Sequence, residues 1–313
     1  MTNLSEFTFL SSDGKTQLHG MLWEPEGVAV RAVLQICHGV AEHIARYDGF
    51  ARALNEQGIV VAGHDHLGHG KSLPDGGTPV YFGQGSTWNT VVDDIYILHQ
   101  RLKQRYPDVP LCIMGHSMGS FLTRTYLIRY PGTVKAAVIM GTGWQPQAAI
   151  TGGLALANAI AAVSGENATS ELVTELAFGS YNKLFAPNRT KVDWLSADES
   201  NVDDYIADPL CGADATVGLF RQMLHGIRFN QRQSHLRQMD RKIPVLFVAG
   251  DKDPVGNCGK GVRQTYDAFR AAGMRDCTLK LYPGLRHEIL NEKAYTADIT
   301  KNIEAWLLSR LEK

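Results

Sequence analysis

Short apolar runs alternating with helix-period segments constrain this chain more than any other feature. The runs are Ala32–Cys37, Ile59–Ala62, Leu111–Met114, Val134–Met140, Pro244–Ala249 and Thr278–Tyr282. Each has the length of a strand, and near-continuous apolar strands are those covered on both faces. Between them Tyr47, Phe50, Ala51 and Leu54 recur at helical spacing before Gly58. Trp88, Val91, Val92, Ile95, Leu98 and Leu102 do so before Pro107, and Ile299, Ile303, Trp306 and Leu307 close the chain. The pattern predicts an α/β fold, a mostly parallel central sheet with helices on both faces. Two further strands, Glu6–Leu10 and Gln17–Trp23, precede it, joined by Ser12-Asp13-Gly14.

The alternation breaks between Trp144 and Asp240. That stretch holds an Ala-rich run from Ala148 to Val163, a polar loop from Phe185 to Lys191, and a helical piece at Val217–Ile227. It divides the chain into a core of residues 1–143 and 241–313 and a helical cap of residues 144–240. Sites in such folds lie at the carboxyl ends of the strands, so an insertion there is placed to cover the site. The Ala148–Val163 run is expected to line an apolar acyl site; a plain buried helix is the competing expectation. Thr151, Gly152, Gly153 and Asn158 interrupt it, and it reads as too short and too weakly apolar to span a bilayer.

Charge excludes one large class of function. The 31 Lys and Arg against 32 Asp and Glu leave a formal net charge of −1, which gives no footprint for nucleic acid. Five cysteines with no C-x-x-C favour neither a disulfide framework nor a zinc knuckle. Reduced thiols, and a start without basic or apolar leader regions, predict a cytoplasmic protein.

Residues 111–119 read LCIMGHSMG. A lone G-x-S-x-G arises by chance in roughly one such composition in seven. Here a buried strand runs into it, and a helical segment, Phe121–Tyr130, runs out to Pro131. Strand, sharp turn and helix are what a nucleophile elbow needs, with small residues flanking the serine. Ser117 is the predicted nucleophile. A hydroxyl needs a base, and in this arrangement the partners follow in the order serine, acid, histidine. Of the histidines after Ser117, His225 and His235 fall in the insertion. His287 follows the last strand and is the predicted base. The acid should end the preceding strand, where Asp251 and Asp253 are both available in Gly250-Asp-Lys-Asp-Pro254. Backbone donors for an oxyanion are expected from Met118, just after the nucleophile, and from Val40 in the loop after Ala32–Cys37. His38 holds that loop or is merely a turn residue.

HGVAEH (38–43), DHLGHGKS (65–72), GHSMGS (115–120), GDKDPV (250–255) and RHEIL (286–290) together resemble monoacylglycerol lipases and lysophospholipases of the α/β-hydrolase superfamily. The resemblance covers nearly the whole chain except the insertion. It places the nucleophile on Ser117, the base on His287, the acid on Asp253 rather than Asp251, and the oxyanion donors on Val40 and Met118. The eukaryotic lipases carry a cysteine just after the acid. Here that neighbourhood is Pro254–Asn257, with Cys258 beyond it. The spacing of His64, His66 and His69 beside Asp65 is chemically compatible with zinc, but the resemblance makes this stretch a Gly-rich structural loop.

The expected function is a serine carboxylic-ester hydrolase acting on small acyl esters or lipids through an acyl-enzyme, without metal or cofactor. Transient contact with membranes or micelles is expected through the cap. Aminopeptidases, thioesterases and acyltransferases share this triad and differ in the cap. A non-catalytic receptor on the same fold is favoured by a broken triad, which this chain does not have.

Overall fold

The computed structural model describes residues 1–311. Eight strands form one sheet: β1 (Thr2–Leu10), β2 (Gln17–Pro25), β3 (Ala32–Cys37), β4 (Ile59–His64), β5 (Leu111–His116), β6 (Ala137–Met140), β7 (Val245–Gly250) and β8 (Cys277–Tyr282). Their order is β1-β2-β4-β3-β5-β6-β7-β8. The β1–β2 and β2–β4 pairs are antiparallel, and all others are parallel. The predicted strands are all present, with ends shifted by a few residues.

Every residue of β3, β4, β5 and β7 is buried, because helices cover both faces. Successive side chains point to opposite faces, so Val33 and Cys37 join one core while Ala32, Leu34 and Ile36 join the other. The first core is closed by α2 (Trp88–Arg105), α3 (Met118–Arg129) and α10 (Lys260–Ala271); the second is closed by α1 (Asp48–Asn55) and α11 (Thr296–Leu311). The sequence pattern missed α10, whose thin apolar stripe amounts to little more than Val262 and Phe269 on its buried face.

Between β6 and β7 the chain forms α4 (Gln147–Ser164), the single turns α5 (Glu171–Thr174) and α6 (Ser180–Lys183), then α7 (Glu199–Ala207), α8 (Val217–Asn230) and the turn α9 (Gln233–Leu236). α4 corrects two expectations. It does not line the large cavity described below. Ile150, Leu154 and Ala157 are its buried residues, and it packs on α8 with Gly153 against Leu224. Its length and composition also reach those of a membrane span, with 18 residues at a mean hydropathy of 1.3. Only 17% of that window is buried, and Val163 is 88% exposed.

Candidate active site

β5 delivers Ser117 at its carboxyl end with φ 54° and ψ −121°, and α3 starts at the next residue. Positive φ in a residue with a Cβ costs about 1–3 kcal/mol and persists only where the surroundings fix it. They do so here. Ser117 N–H donates to Met140 O at the end of β6 (3.1 Å), and Ser120 N–H donates to Ser117 O (2.8 Å). The flanking glycines are steric requirements. A Cβ on Gly115 would strike Gly119 O and Thr123, and one on Gly119 would strike Cys37 O in the neighbouring strand.

His287 lies in the loop after β8, 2% exposed, with its ring between those of His116 (4.7 Å between centroids) and Trp194 (5.1 Å). Its Nδ1 is 3.0 Å from Oδ1 of Asp253. The approach is close but not aligned as a hydrogen bond, and Asp253 Oδ2 is buried without a partner. Such contacts are often loose without substrate. Asp253 Oδ1 also accepts from Val255 N–H (2.9 Å). Asp251 instead accepts from Gly284 N–H (2.8 Å) and so ties the β7 loop to the β8 loop.

The loop after β3 faces the serine. Gly39 sits so close that a Cβ there would lie 3.1 Å from Ser117 Cβ. Val40 N–H makes no hydrogen bond among the described residues. Met118 opens α3, where helix geometry leaves N–H groups without an intrahelical acceptor. His38 holds the loop through both ring nitrogens: Nδ1–H donates to Gly39 O (2.7 Å), and Nε2 accepts from His66 N–H (2.9 Å). Burial pushes its pKa down, in keeping with that neutral tautomer.

Ser117, His287, Gly39 and Val40 open onto one cavity of about 850 Å³. Its other wall comes from the stretch 169–195 with Tyr205 and residues 212–215, with Phe178, Trp194 and Ala215 as apolar surfaces and Glu175, Lys183 and Lys191 as charged ones. Cavities of roughly 300–1,000 Å³ suit small-molecule ligands.

Sequence reasoning assigned no role to a buried network behind these loops. Glu42 accepts from Gly39 N–H (2.5 Å), Tyr47 O–H (3.0 Å) and Arg46 (3.0 Å), and lies 3.2 Å from His116 Nδ1. Arg46 donates twice to Glu288 (2.7 and 2.8 Å), which also accepts from Asn201 (2.9 Å). His116 Nε2 lies 3.3 Å from His287 O. Burial pushes the Glu42 carboxyl up, but the hydrogen bond and charge of His116 with the charge of Arg46 hold it below the usual range. Against the same burial, the Glu42 carboxylate raises His116. The network joins the loop after β3, the turn at Ser117 and the loop after β8. Glu42, His116 and Glu288 stand in HGVAEH, GHSMGS and RHEIL, so the signal for them was their place beside the predicted catalytic residues; Arg46, Tyr47 and Asn201 lie outside these motifs. The ring nitrogens of His64 and His66, and Nε2 of His69, are buried without partners. Their donor atoms do not converge on a point.

The sequence pattern of the family described as serine aminopeptidase, S33, matches residues 28–294. The chain is 31% identical to the monoacylglycerol lipase of Mycolicibacterium smegmatis over 98% of each chain. It is 27% identical to the human monoglyceride lipase, over 96% of this chain and 89% of that one. A thermostable carboxyl esterase from Bacillus coagulans, solved with glycerol, superimposes with a TM-score of 0.92 at 26% identity, covering 99% of this chain and 100% of that one. The elbow, the full-length match and these relatives together place the chain in the serine aminopeptidase S33 family of α/β-hydrolases, as a monoacylglycerol lipase-like serine hydrolase of the esterase and lipase type.

Proposed function

We propose that this ester hydrolase acts on monoacylglycerols and related single-chain acyl esters through an acyl-enzyme on Ser117. The observation that carries the reading is the shared cavity, where a strained serine, a buried histidine and an unbonded loop N–H face one apolar and polar space. Ser117 Oγ attacks the ester carbonyl as His287 Nε2 takes its proton. Asp253 orients the imidazole and stabilises the imidazolium. The Val40 and Met118 N–H groups receive the oxyanion. His287 then protonates the leaving alcohol, and water repeats the sequence on the acyl-enzyme. His38, with its proton on Nδ1, fixes the loop that carries Val40.

Residues 144–240 act as a cap over the carboxyl ends of the strands, and residues 169–195 form the acyl wall. The uncharged outer surface of α4 is the part suited to touching a lipid surface, since 18 residues without Lys, Arg, Asp or Glu face largely outward. Glycerol as the alcohol is supported by the relatives' names and by the glycerol bound to the Bacillus esterase. The five unpaired cysteines fit a reducing, cytoplasmic setting.

The test is fluorophosphonate labelling together with a panel of p-nitrophenyl esters, a monoacylglycerol, a lysophospholipid and an aminoacyl amide. Labelling at Ser117 and turnover fastest on the monoacylglycerol are expected. Ser117→Ala should lose labelling and on the order of 10⁶ in turnover. Fastest turnover of the aminoacyl amide overturns the substrate class, and wild-type turnover in Ser117→Ala overturns the nucleophile.

A further inference from the structure

A second cluster of chemically active side chains lies where the HGVAEH loop meets the cap. His43 ends that loop and is buried; Asp208 follows α7, and Cys211 lies three residues further on, half-buried. His43 Nε2 is 2.8 Å from Asp208 Oδ2. One ligand atom from each of the three residues lies within 4.8 Å of the other two. Among the described residues this is the one grouping of His, Cys, Asp and Glu whose donor atoms converge so closely.

A hydrogen bond pinning cap to core explains His43 and Asp208 but gives the thiol no part. The donor set gives it one. Imidazole nitrogen, carboxylate oxygen and thiolate sulfur together suit zinc-class ions, whereas magnesium and calcium take oxygen ligands. In a tetrahedral zinc site a nitrogen and a sulfur ligand lie roughly 3.5 Å apart, so side-chain rotations of an ångström or so complete the geometry. Three protein ligands leave a fourth position for water.

We propose that His43, Asp208 and Cys211 form a binding site for Zn²⁺ or a similar borderline-soft divalent cation, and that its occupancy inhibits the enzyme. On binding, the Cys211 S–H bond breaks, a sulfur–metal bond forms, and the proton leaves to buffer. Asp208 binds as its carboxylate and releases the hydrogen bond from His43 Nε2–H; that proton passes to solvent as Nδ1 takes one up, so the neutral His43 gives the Nε2 lone pair. Nothing is oxidised or reduced.

The route to inhibition is short. Gly212 N–H and Tyr205 O–H both donate to Ala41 O (3.0 Å each). Ala41 has a φ of 52° and stands between Val40 and the ligand His43. A metal drawing His43 and Cys211 together pulls on Ala41 both along the chain and through Gly212, so the adjoining Gly39–Val40 turn shifts relative to Ser117. The inhibitory half rests on the hydrolase reading above; the binding half does not.

The experiment titrates the whole protein with Zn²⁺ against a chromophoric chelator and with Co²⁺ by absorption, and then measures ester turnover at saturating Zn²⁺. Wild type is expected to bind one equivalent and to show a sulfur-to-cobalt charge-transfer band. Cys211→Ser and Asp208→Asn, which keep size and hydrogen bonding, should each weaken Zn²⁺ by at least about tenfold. Cys211→Ser should lose the band and keep full turnover in Zn²⁺, while the exposed control Cys258→Ser behaves as wild type. A wild type without the band, equal Zn²⁺ affinity in Cys211→Ser, or loss of the band in Cys258→Ser overturns the site. Zn²⁺ bound through Cys211 with turnover unchanged overturns the inhibitory half.

Discussion

The two walls of the 850 Å³ cavity are built in different ways. The core wall hangs from strand ends. Ser117, Gly39, His116 and His287 are buried or nearly so, and their loops are joined by bonds spanning many residues, such as Glu42 to His116 and Arg46 to Glu288. The cap wall is made of single helical turns and loops, and many of its bonds are local, such as Thr190 to Asp193 and Lys183 to Glu175. Leu172 and Leu184, in the same stretch but not among the residues that line the cavity, stand 54% and 61% exposed. Long-range polar bonds over-determine a geometry; local ones leave it free to vary. Chemistry is therefore expected to fail sharply when the core wall is altered, and selectivity to drift gently when the cap wall is altered.

After loss of Ser117 itself, the sharpest break should come from Asp253→Asn. The carboxylate that fixes the tautomer of a catalytic histidine is worth roughly 10⁴ in turnover. Asp251→Asn should change kcat by less than about twofold, because that residue only bridges two loops at the rim. Comparing kcat for both variants checks this, and a crippled Asp251→Asn would place the acid on the wrong aspartate.

Glu42→Gln probes how the core wall is held. The amide cannot satisfy Gly39 N–H, Tyr47 O–H, Arg46 and His116 together, so the oxyanion loop should lose its register with Ser117. Loss of one oxyanion donor costs about 10²–10³ in kcat, and partial misplacement should cost on the order of 10². The split between kcat and KM separates this from a merely structural fault: kcat should fall while KM stays near wild type.

Much of this was legible in the sequence. Strand length and apolar content marked all eight strands, and the elbow stood out because glycine occupies both positions where a Cβ would collide with backbone. The acid was different. Both aspartates follow a strand and a glycine, so residue pattern alone left them level and only the resemblance chose Asp253; the fold shows Asp253 beside His287 and Asp251 bonded to Gly284. The expectation that Ala148–Val163 lines the site failed for a related reason. Apolar content drew attention to Ala148–Val163, but small residues at helical spacing pack as well on α8 as around a ligand. The wall that does face Ser117 mixes Phe178 and Trp194 with lysines and glutamates and carries no period to read.

Acid should weaken the structure beneath the core wall through its buried histidines. Burial pushes His64 down to about 3 and His69 to about 4, and it lowers His38 and His66 as well. The unfolded chain binds protons at these residues below about pH 6.5 while the folded chain does not, so stability falls as pH drops from there toward 4. His64 and His69 each contribute a slope of up to about 1.4 kcal/mol per pH unit, a factor of ten in the unfolding equilibrium. Urea midpoints from pH 8 to pH 4.5 should fall below pH 6.5, and His64→Leu should flatten that fall. A midpoint independent of pH down to 4.5 would mean these rings are charged or solvated in the folded chain.

The gentlest effect should appear on the cap wall, read through acyl-chain length. Each CH₂ buried in an apolar cavity gains up to about 0.8 kcal/mol, close to fourfold in kcat/KM, until the space is full. A series from acetyl to lauroyl esters should therefore climb and then level off. Phe178 lines the cavity and stacks at 6.4 Å with Trp194, which in turn touches the His287 ring. Phe178→Asp puts a charge where the acyl chain would run, so it should flatten the climb and leave the acetyl ester nearly unchanged. Leu156→Asp alters α4, which lies outside the cavity, and should leave the whole series as it is. If Leu156→Asp flattens the series on monomeric esters and Phe178→Asp does not, the acyl chain runs along α4 and the cap wall described here is the wrong one. If Leu156→Asp acts only on dispersed lipid, α4 meets the lipid surface and Phe178 still meets the chain.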